Sequence, residues 1–175
     1  MKKKALFLDR DGIINVDYGY VYRVEDFKFI DGIFDFIKLF LDNGFLLFIV
    51  TNQSGIGREY YSRDDFLSLT EWMLKEFKKE NISIEDVFYC PHSPDEKCEC
   101  RKPQIGMITQ AIKEYDIDLN SSFMVGDKQS DIEFAINADI SNSIYIGSNT
   151  SIKNYTYSFK SIIEAKNYLK VIIDG

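Results

Sequence analysis

The residues best equipped for chemistry fall into a few short clusters. Asp9-Arg10-Asp11-Gly12 places two carboxylates two residues apart, and Gly126-Asp127 supplies a third acid far along the chain. Singly, Asp9 and Asp11 suit a turn and Asp127 a helix N-cap. Held together, such like charges are costly unless a cation compensates them or one takes up a proton. Hard oxygen ligands of this kind suit Mg²⁺. Thr51-Asn52 offers a hydroxyl and backbone N–H groups that could hold phosphate oxygens, and Arg101-Lys102 and Lys128 offer cations to neutralise a phosphate. Pro103 stiffens the turn that follows Lys102.

A second cluster is softer. Cys90, His92, Cys98 and Cys100 form a C-x-H-x5-C-x-C pattern, and they are all of the 3 Cys and 1 His in the chain. Three Cys plus one His is a tetrahedral structural zinc set. An odd cysteine count argues against a disulfide framework. With all four positions filled by protein, this zinc is expected to be structural, fixing the loop that presents Arg101 and Lys102.

The elements that must position these groups alternate in period. Ala5–Leu8 reads as a buried strand ending at Asp9. Residues 12–31 fit no simple period and carry Tyr18, Tyr20 and Tyr22, which predicts a long structured loop; such loops are usually functional. Ile33, Phe36, Ile37, Phe40 and Leu41 follow helical spacing, and Asn43-Gly44 stops the helix. Phe45–Val50 is uniformly apolar, as a strand covered on both faces should be. Gly55 and Gly57 punctuate the loop after it. Ser62 to Asp65 resembles a capping box, opening a helix marked by Phe66, Leu69, Met73 and Phe77. Val87–Tyr89 is a third strand, followed by the Cys-rich loop 90–103 and a helix through Met107, Ile108, Ala111, Ile112 and Tyr115. Ser122–Val125 is a fourth strand, Ile132, Ala135 and Ile136 mark a helix, and Ser143–Ile146 is a fifth strand. Residues 148–158 read as a loop and Ile162–Leu169 as a last helix.

Strands alternating with helices predict an α/β fold: a doubly wound, mainly parallel sheet with helices on both faces. In such sheets the ligand crevice lies outside the carboxyl ends of the strands, where the polar clusters fall.

Composition narrows the class. The 175 residues match one domain, 1–175, and a chain this long can bury about 70% of its unfolded surface. At 45% hydrophobic and 15% aromatic it is too apolar for disorder. The formal net charge of −7 disfavours general nucleic-acid binding. The longest apolar run, Phe45–Val50, falls far short of the roughly 20 residues that span a bilayer. Lys2–Lys4 precede an apolar stretch too short for a signal peptide. A cytoplasmic protein is expected, without membrane or nucleic-acid partners, and a monomer, since nothing marks an interface.

Phe7-Leu8-Asp9-Arg10-Asp11-Gly12, Thr51-Asn52-Gln53-Ser54-Gly55, Arg101-Lys102-Pro103 and Gly126-Asp127-Lys128 resemble, in order, the four motifs of haloacid dehalogenase-like phosphatases. The resemblance covers about residues 5–147 and implies a member without a separate cap domain. The zinc loop narrows it to a branch acting on heptose bisphosphate or on histidinol phosphate. Residues 14–21 and 54–58 resemble the heptose enzymes' substrate loops, whereas the five-residue spacer between His92 and Cys98 is like the histidinol enzymes.

The resemblance implies Asp9 as nucleophile, Asp11 as acid and base, and Thr51 and Lys102 on the transferring phosphoryl group. It also implies Mg²⁺ on Asp9, the Asp11 carbonyl and Asp127. Asp17, Tyr18, Gly19, Tyr20, Asn52, Gln53, Ser54, Arg101 and Lys128 are the expected contacts to a small phosphorylated sugar. The implied activity is release of the C7 phosphate of D-glycero-D-manno-heptose 1,7-bisphosphate, with histidinol phosphate as the alternative. Two further possibilities are a phospho-accepting signalling domain, which Asp11 disfavours by activating water, and a zinc-stiffened binding protein, which leaves the acid pair and Lys102 unexplained.

Overall fold

The structure, a computed structural model, describes residues 2–174. Six strands form one sheet: β1 (Ala5–Leu8), β2 (Leu46–Asn52), β3 (Asp86–Cys90), β4 (Phe123–Gly126), β5 (Asn142–Ile146) and β6 (Tyr157–Phe159). Every pairing is parallel and the order is β3-β2-β1-β4-β5-β6. Six helices connect and cover them: α1 (Ile33–Asp42), α2 (Ser54–Gly57), α3 (Arg63–Lys79), α4 (Gly106–Glu114), α5 (Gln129–Asn137) and α6 (Ile162–Ile173).

Successive strand residues point to opposite faces, so uniformly apolar strands build two cores. Leu6, Leu8, Leu47, Ile49, Val125 and Ile144 pack with Phe36 and Phe40 of α1, Met73 and Phe77 of α3, and Leu169 of α6. Phe7, Phe48, Val50 and Met124 pack on the other face with Met107 and Ile108 of α4 and Phe134 and Ala135 of α5. Burying a Leu or Phe side chain contributes about 1.5–3 kcal/mol. The capping box at Ser62 is present: its hydroxyl accepts from the Asp65 amide at 3.0 Å, and Asp65 accepts from the Ser62 amide at 2.8 Å.

The structure departs from the sequence reading in four places. Residues 148–158 are not all loop, because Tyr157–Phe159 extends the sheet beside β5. An edge strand of three residues carries too little alternation to register as a period. Ser54–Gly57 is one helical turn rather than open loop. In α5 Phe134 is buried beside the expected Ile132 and Ala135, while Ile136 is exposed, and Ile112 of α4 is exposed as well. Residues 12–31 are indeed largely irregular, but Ile13, Ile14, Val21 and Phe27 anchor them in the core. No helix among the described residues is long and apolar enough to cross a membrane.

The register decides where the polar clusters go. Leu8 lies opposite Ile49 on one side and Val125 on the other. Asp9 and Asp127 therefore follow their strands at the same carboxyl end of the sheet, where Thr51 lies near the end of β2's pairing with β3. With this strand order the chain winds outward in both directions from β1 and β4, so the crevice opens between them.

Candidate active site

Asp9 is the first residue beyond β1, and its backbone stays in the ladder by donating to the Val125 carbonyl at 3.0 Å. Its carboxylate is buried. Lys102 approaches from the opposite side, its ammonium 3.1 Å from Asp9 Oδ1 and 2.7 Å from Asp131 Oδ1, and it donates to the Val50 carbonyl at 2.7 Å. Burial alone would lower the Lys102 pKa; Asp131 and Asp9 outweigh it and hold the ammonium charged. Burial pushes Asp9 up to about 6, assisted by the neighbouring Asp131 and Asp11 and opposed by Lys102.

Asp127 follows β4. Burial pushes its carboxyl up to about 7, with Asp9 and Asp131 adding repulsion, and its Oδ1 is buried without a hydrogen-bond partner. Oxygens of Asp9, Asp127 and Asp131 all lie within 4.8 Å of one another. Three convergent carboxylates, one of them with an orphaned oxygen, fit a hard divalent cation. Gly12, at φ +88°, keeps the wall of this site open: a Cβ there would come within 2.2 Å of Asp127 Oδ2.

Asp131 is one residue the sequence reading missed. It is fully buried and caps α5, accepting from the Lys128 amide at 3.0 Å through Oδ2 while Oδ1 meets Lys102. Its signal was present: an acid four residues after Asp127, one helical turn on, at the mouth of a helix.

Asp11 carries three donors. Oδ1 accepts from Arg10 Nη2 at 2.9 Å and Asn15 Nδ2 at 3.0 Å, and Oδ2 accepts from Gln53 Nε2 at 3.0 Å. Thr51 is fully buried, and its hydroxyl accepts from Gln53 at 2.9 Å.

A cavity of about 230 Å³ opens over these groups. Of the residues expected there, Asp9, Asp11, Asp17, Gly19, Tyr20, Asn52, Gln53, Ser54, Arg101, Lys102 and Lys128 line it, joined by Tyr61, Ser130 and Asp131. Tyr18, 63% exposed, Thr51 and Asp127 are not in the wall, and Asp127 lines a neighbouring cavity with Gly12. Asp17 and Lys128 meet at 3.2 Å in the wall. Burial would raise Asp17, but the Gly19 amide and the Lys128 ammonium outweigh it and hold the carboxyl below its ordinary value. Arg101 has a buried Nη1 with no protein partner. Asn52 is occupied with scaffolding, since its Oδ1 accepts from the Lys102 amide at 2.9 Å and its Nδ2 donates to the Lys102 carbonyl at 3.3 Å.

The thiol cluster stands beside this site. Cys90 ends β3 in the core, and a turn at Pro94–Glu96 folds the chain back to bring Cys98 and Cys100 to it. Cys90 Sγ lies 3.5 Å from His92 Nδ1 and 3.4 Å from Cys98 Sγ; Cys100 Sγ lies 3.2 Å from His92 Nδ1 and 3.6 Å from Cys98 Sγ. Zinc–sulfur bonds of about 2.3 Å in a tetrahedron imply sulfurs a little under 4 Å apart; Cys98 lies near that spacing from both other thiols, whereas Cys90 and Cys100 approach to 2.7 Å and would have to separate to share an ion. Burial pushes the Cys90 thiol up, whereas the Arg101 amide and the neighbouring thiols outweigh burial at Cys98 and bring it down to about 7. The loop is stitched to the β2 exit by the Gln53 amide on the Cys90 carbonyl and the Gly57 amide on the Pro91 carbonyl, both at 2.8 Å.

Residues 7–158 match the polynucleotide kinase 3 phosphatase family. D-glycero-alpha-D-manno-heptose-1,7-bisphosphate 7-phosphatase of Campylobacter jejuni is 48% identical over 97% of this chain and 98% of its own. D-glycero-beta-D-manno-heptose-1,7-bisphosphate 7-phosphatase of Haemophilus influenzae is 42% identical over 95% and 97%. The crystal structure of D,D-heptose 1,7-bisphosphate phosphatase from B. bronchiseptica, complexed with magnesium and phosphate, superposes with a TM-score of 0.84 at 25% identity, covering 95% of this chain and 97% of that one. The chain thus belongs to the polynucleotide kinase 3 phosphatase family of haloacid dehalogenase-like phosphatases, in its heptose bisphosphate phosphatase branch.

Proposed function

We propose that this protein hydrolyses the C7 phosphate of D-glycero-D-manno-heptose 1,7-bisphosphate, a step in supplying nucleotide-activated heptose for lipopolysaccharide or capsule precursors. The carrying observation is the buried Asp9 carboxylate, paired with Lys102 and facing Asp127 and Asp131 at the floor of a polar cavity. The relatives' names, at 42–48% identity over nearly the whole chain, supply the substrate.

Asp9 attacks phosphorus; the bond from phosphorus to the C7 oxygen breaks, and Asp11 protonates that oxygen as it leaves. Water then attacks the aspartyl-phosphate, Asp11 takes its proton, and inorganic phosphate departs with Asp9 restored. Splitting one displacement into two lets each use the same groups. Lys102 and the Thr51 hydroxyl stabilise charge on the phosphoryl oxygens as it builds, and such preorganised donors contribute a few kcal/mol each. Asp9, Asp127 and the Asp11 main-chain carbonyl would hold Mg²⁺, which when bound offsets the repulsion between an anionic nucleophile and an anionic ester. Asp131, with both oxygens engaged, anchors Lys102.

Arg101, Lys128, Asp17 and the 17–20 loop suit the remaining sugar hydroxyls and second phosphate. Zinc on Cys90, His92, Cys98 and Cys100 would fix the loop carrying Arg101 and Lys102. All of these groups come from one chain, so a monomer suffices. A doubly phosphorylated sugar does not cross membranes unaided, which suits a cytoplasmic enzyme.

The test is phosphate release from the bisphosphate with Mg²⁺ present, with ³¹P NMR locating the phosphate that remains. Release leaving the C1 phosphate in place supports the reading. Absence of release, or loss of the C1 phosphate instead, overturns it. Histidinol phosphate serves as the comparison substrate and is expected to give a far lower kcat/KM.

A further inference from the structure

Tyr61 belongs to none of the sequence clusters, yet it lies in the cavity wall, 6% exposed. Its ring enters because residue 55 is glycine: a Cβ there would come within 2.1 Å of Tyr61 Cε1. Tyr22 stacks against the same ring at 5.1 Å with the planes 10° apart. Packed against both, the phenol donates to Gln53 Oε1 at 2.6 Å. We propose that Tyr61 is a positioning residue: by holding the Gln53 carbonyl, it forces the Gln53 amide hydrogens onto Asp11 and Thr51 and so sets the polarity of the acid/base and of the phosphate-binding hydroxyl. The proposal rests on the phosphatase reading above, though not on which sugar is the substrate.

The chemistry of the side chains gives the reason. A carboxylate only accepts, and an amide offers one acceptor and two hydrogens. Gln53 Nε2 spends one hydrogen on Asp11 Oδ2 at 3.0 Å and the other on Thr51 Oγ1 at 2.9 Å. If the amide rotated by half a turn, its oxygen would face the Asp11 carboxylate with no hydrogen between them. The phenol, pushed up to about 12 chiefly by burial, keeps its hydrogen at working pH and opposes that rotation.

Two consequences follow at the reacting centre. Thr51 Oγ1, already an acceptor from Gln53, keeps its own hydrogen to donate. Asp11 Oδ1 is occupied by Arg10 and Asn15, so Oδ2, with a single donor, is the oxygen able to carry the proton that moves to the leaving group.

A double-mutant cycle tests this, using phosphate release from the bisphosphate and from a simple aryl phosphate. Tyr61→Phe should lower kcat about tenfold, the scale of one lost hydrogen bond, leaving KM within about twofold and the melting temperature only a few degrees lower, so that the protein stays folded under assay conditions. In a Gln53→Ala background the same change should cost less than about twofold, because its effect runs through the amide. Multiplying effects in the double variant, a raised KM with constant kcat, or an unaltered kcat for Tyr61→Phe overturns the proposal while leaving the phosphatase reading intact. A wild-type protein that releases phosphate from neither ester overturns both.

Discussion

The two candidate metal sites of this protein, about one loop apart, are built on opposite plans. The thiol–imidazole cluster is local: four ligands within eleven residues, folded together by one turn, with Cys90 alone rooted in the core. The carboxylate cluster is assembled from residues 9, 127 and 131, and its balancing cation comes from residue 102. Soft sulfur ligands bind zinc tightly enough to fold a loop around the ion. Hard carboxylates bind Mg²⁺ weakly and with retained water, so the scaffold itself has to bring them together. The first plan suits a structural ion and the second a working one. Asn52 joins the two, holding the Lys102 backbone where the zinc loop meets the crevice.

Substitutions should separate the plans. The largest effect is expected from Asp9→Asn, which keeps shape and removes the nucleophile: phosphate release should fall by about four orders of magnitude or more, with circular dichroism and zinc content unchanged. Substantial residual turnover would take the nucleophile's role from Asp9. Chelating the zinc, or replacing Cys98 with Ser, should come next. The melting temperature should drop by several degrees or more and turnover should fall with it, since Arg101 and Lys102 lose their support; full activity in metal-analysed, zinc-free protein would separate the two sites.

Asp131→Asn should act within the carboxylate site alone. It keeps the α5 cap but removes a charge from Lys102, so kcat should fall by about two orders of magnitude while zinc content holds; an unchanged kcat would remove Asp131 from the anchoring role. The smallest effect is expected from Asp17→Asn at the half-open Lys128 pair, worth less than about 1 kcal/mol. Because the Asp17 carboxyl is held below its ordinary value, its stabilisation is present above that ordinary value and disappears as pH falls through the depressed one. The melting-temperature gap between wild type and variant should therefore close in strong acid, and a gap that widens there would contradict the assignment.

Much of this was legible in the chain. Strands such as Phe45–Val50 are apolar throughout because both faces are covered, and a parallel sheet leaves few other ways to bury them. The thiol–imidazole cluster was legible for a different reason, since its four members lie within eleven residues of one another. Asp9, Asp11, Asp127 and Lys102 stood out as charges at strand ends.

What the amino-acid order alone determined was therefore the alternation of elements, the thiol loop and the edge of the sheet where the acids emerge. What tertiary packing decided was the partnership among them. Asp131 became the partner of Lys102 because α5 starts where β4 ends, opposite the Cys-rich loop. Gln53 and Asn52, expected as substrate contacts, line the cavity and also bond to Asp11, Thr51 and Lys102. Tyr61 reached Gln53 through one short helical turn, whose four residues carry no periodicity to read. Hydrophobic pattern reports which side of an element is buried; which buried polar group meets which depends on how two such elements are set against each other, and that is known only once the sheet has closed around them.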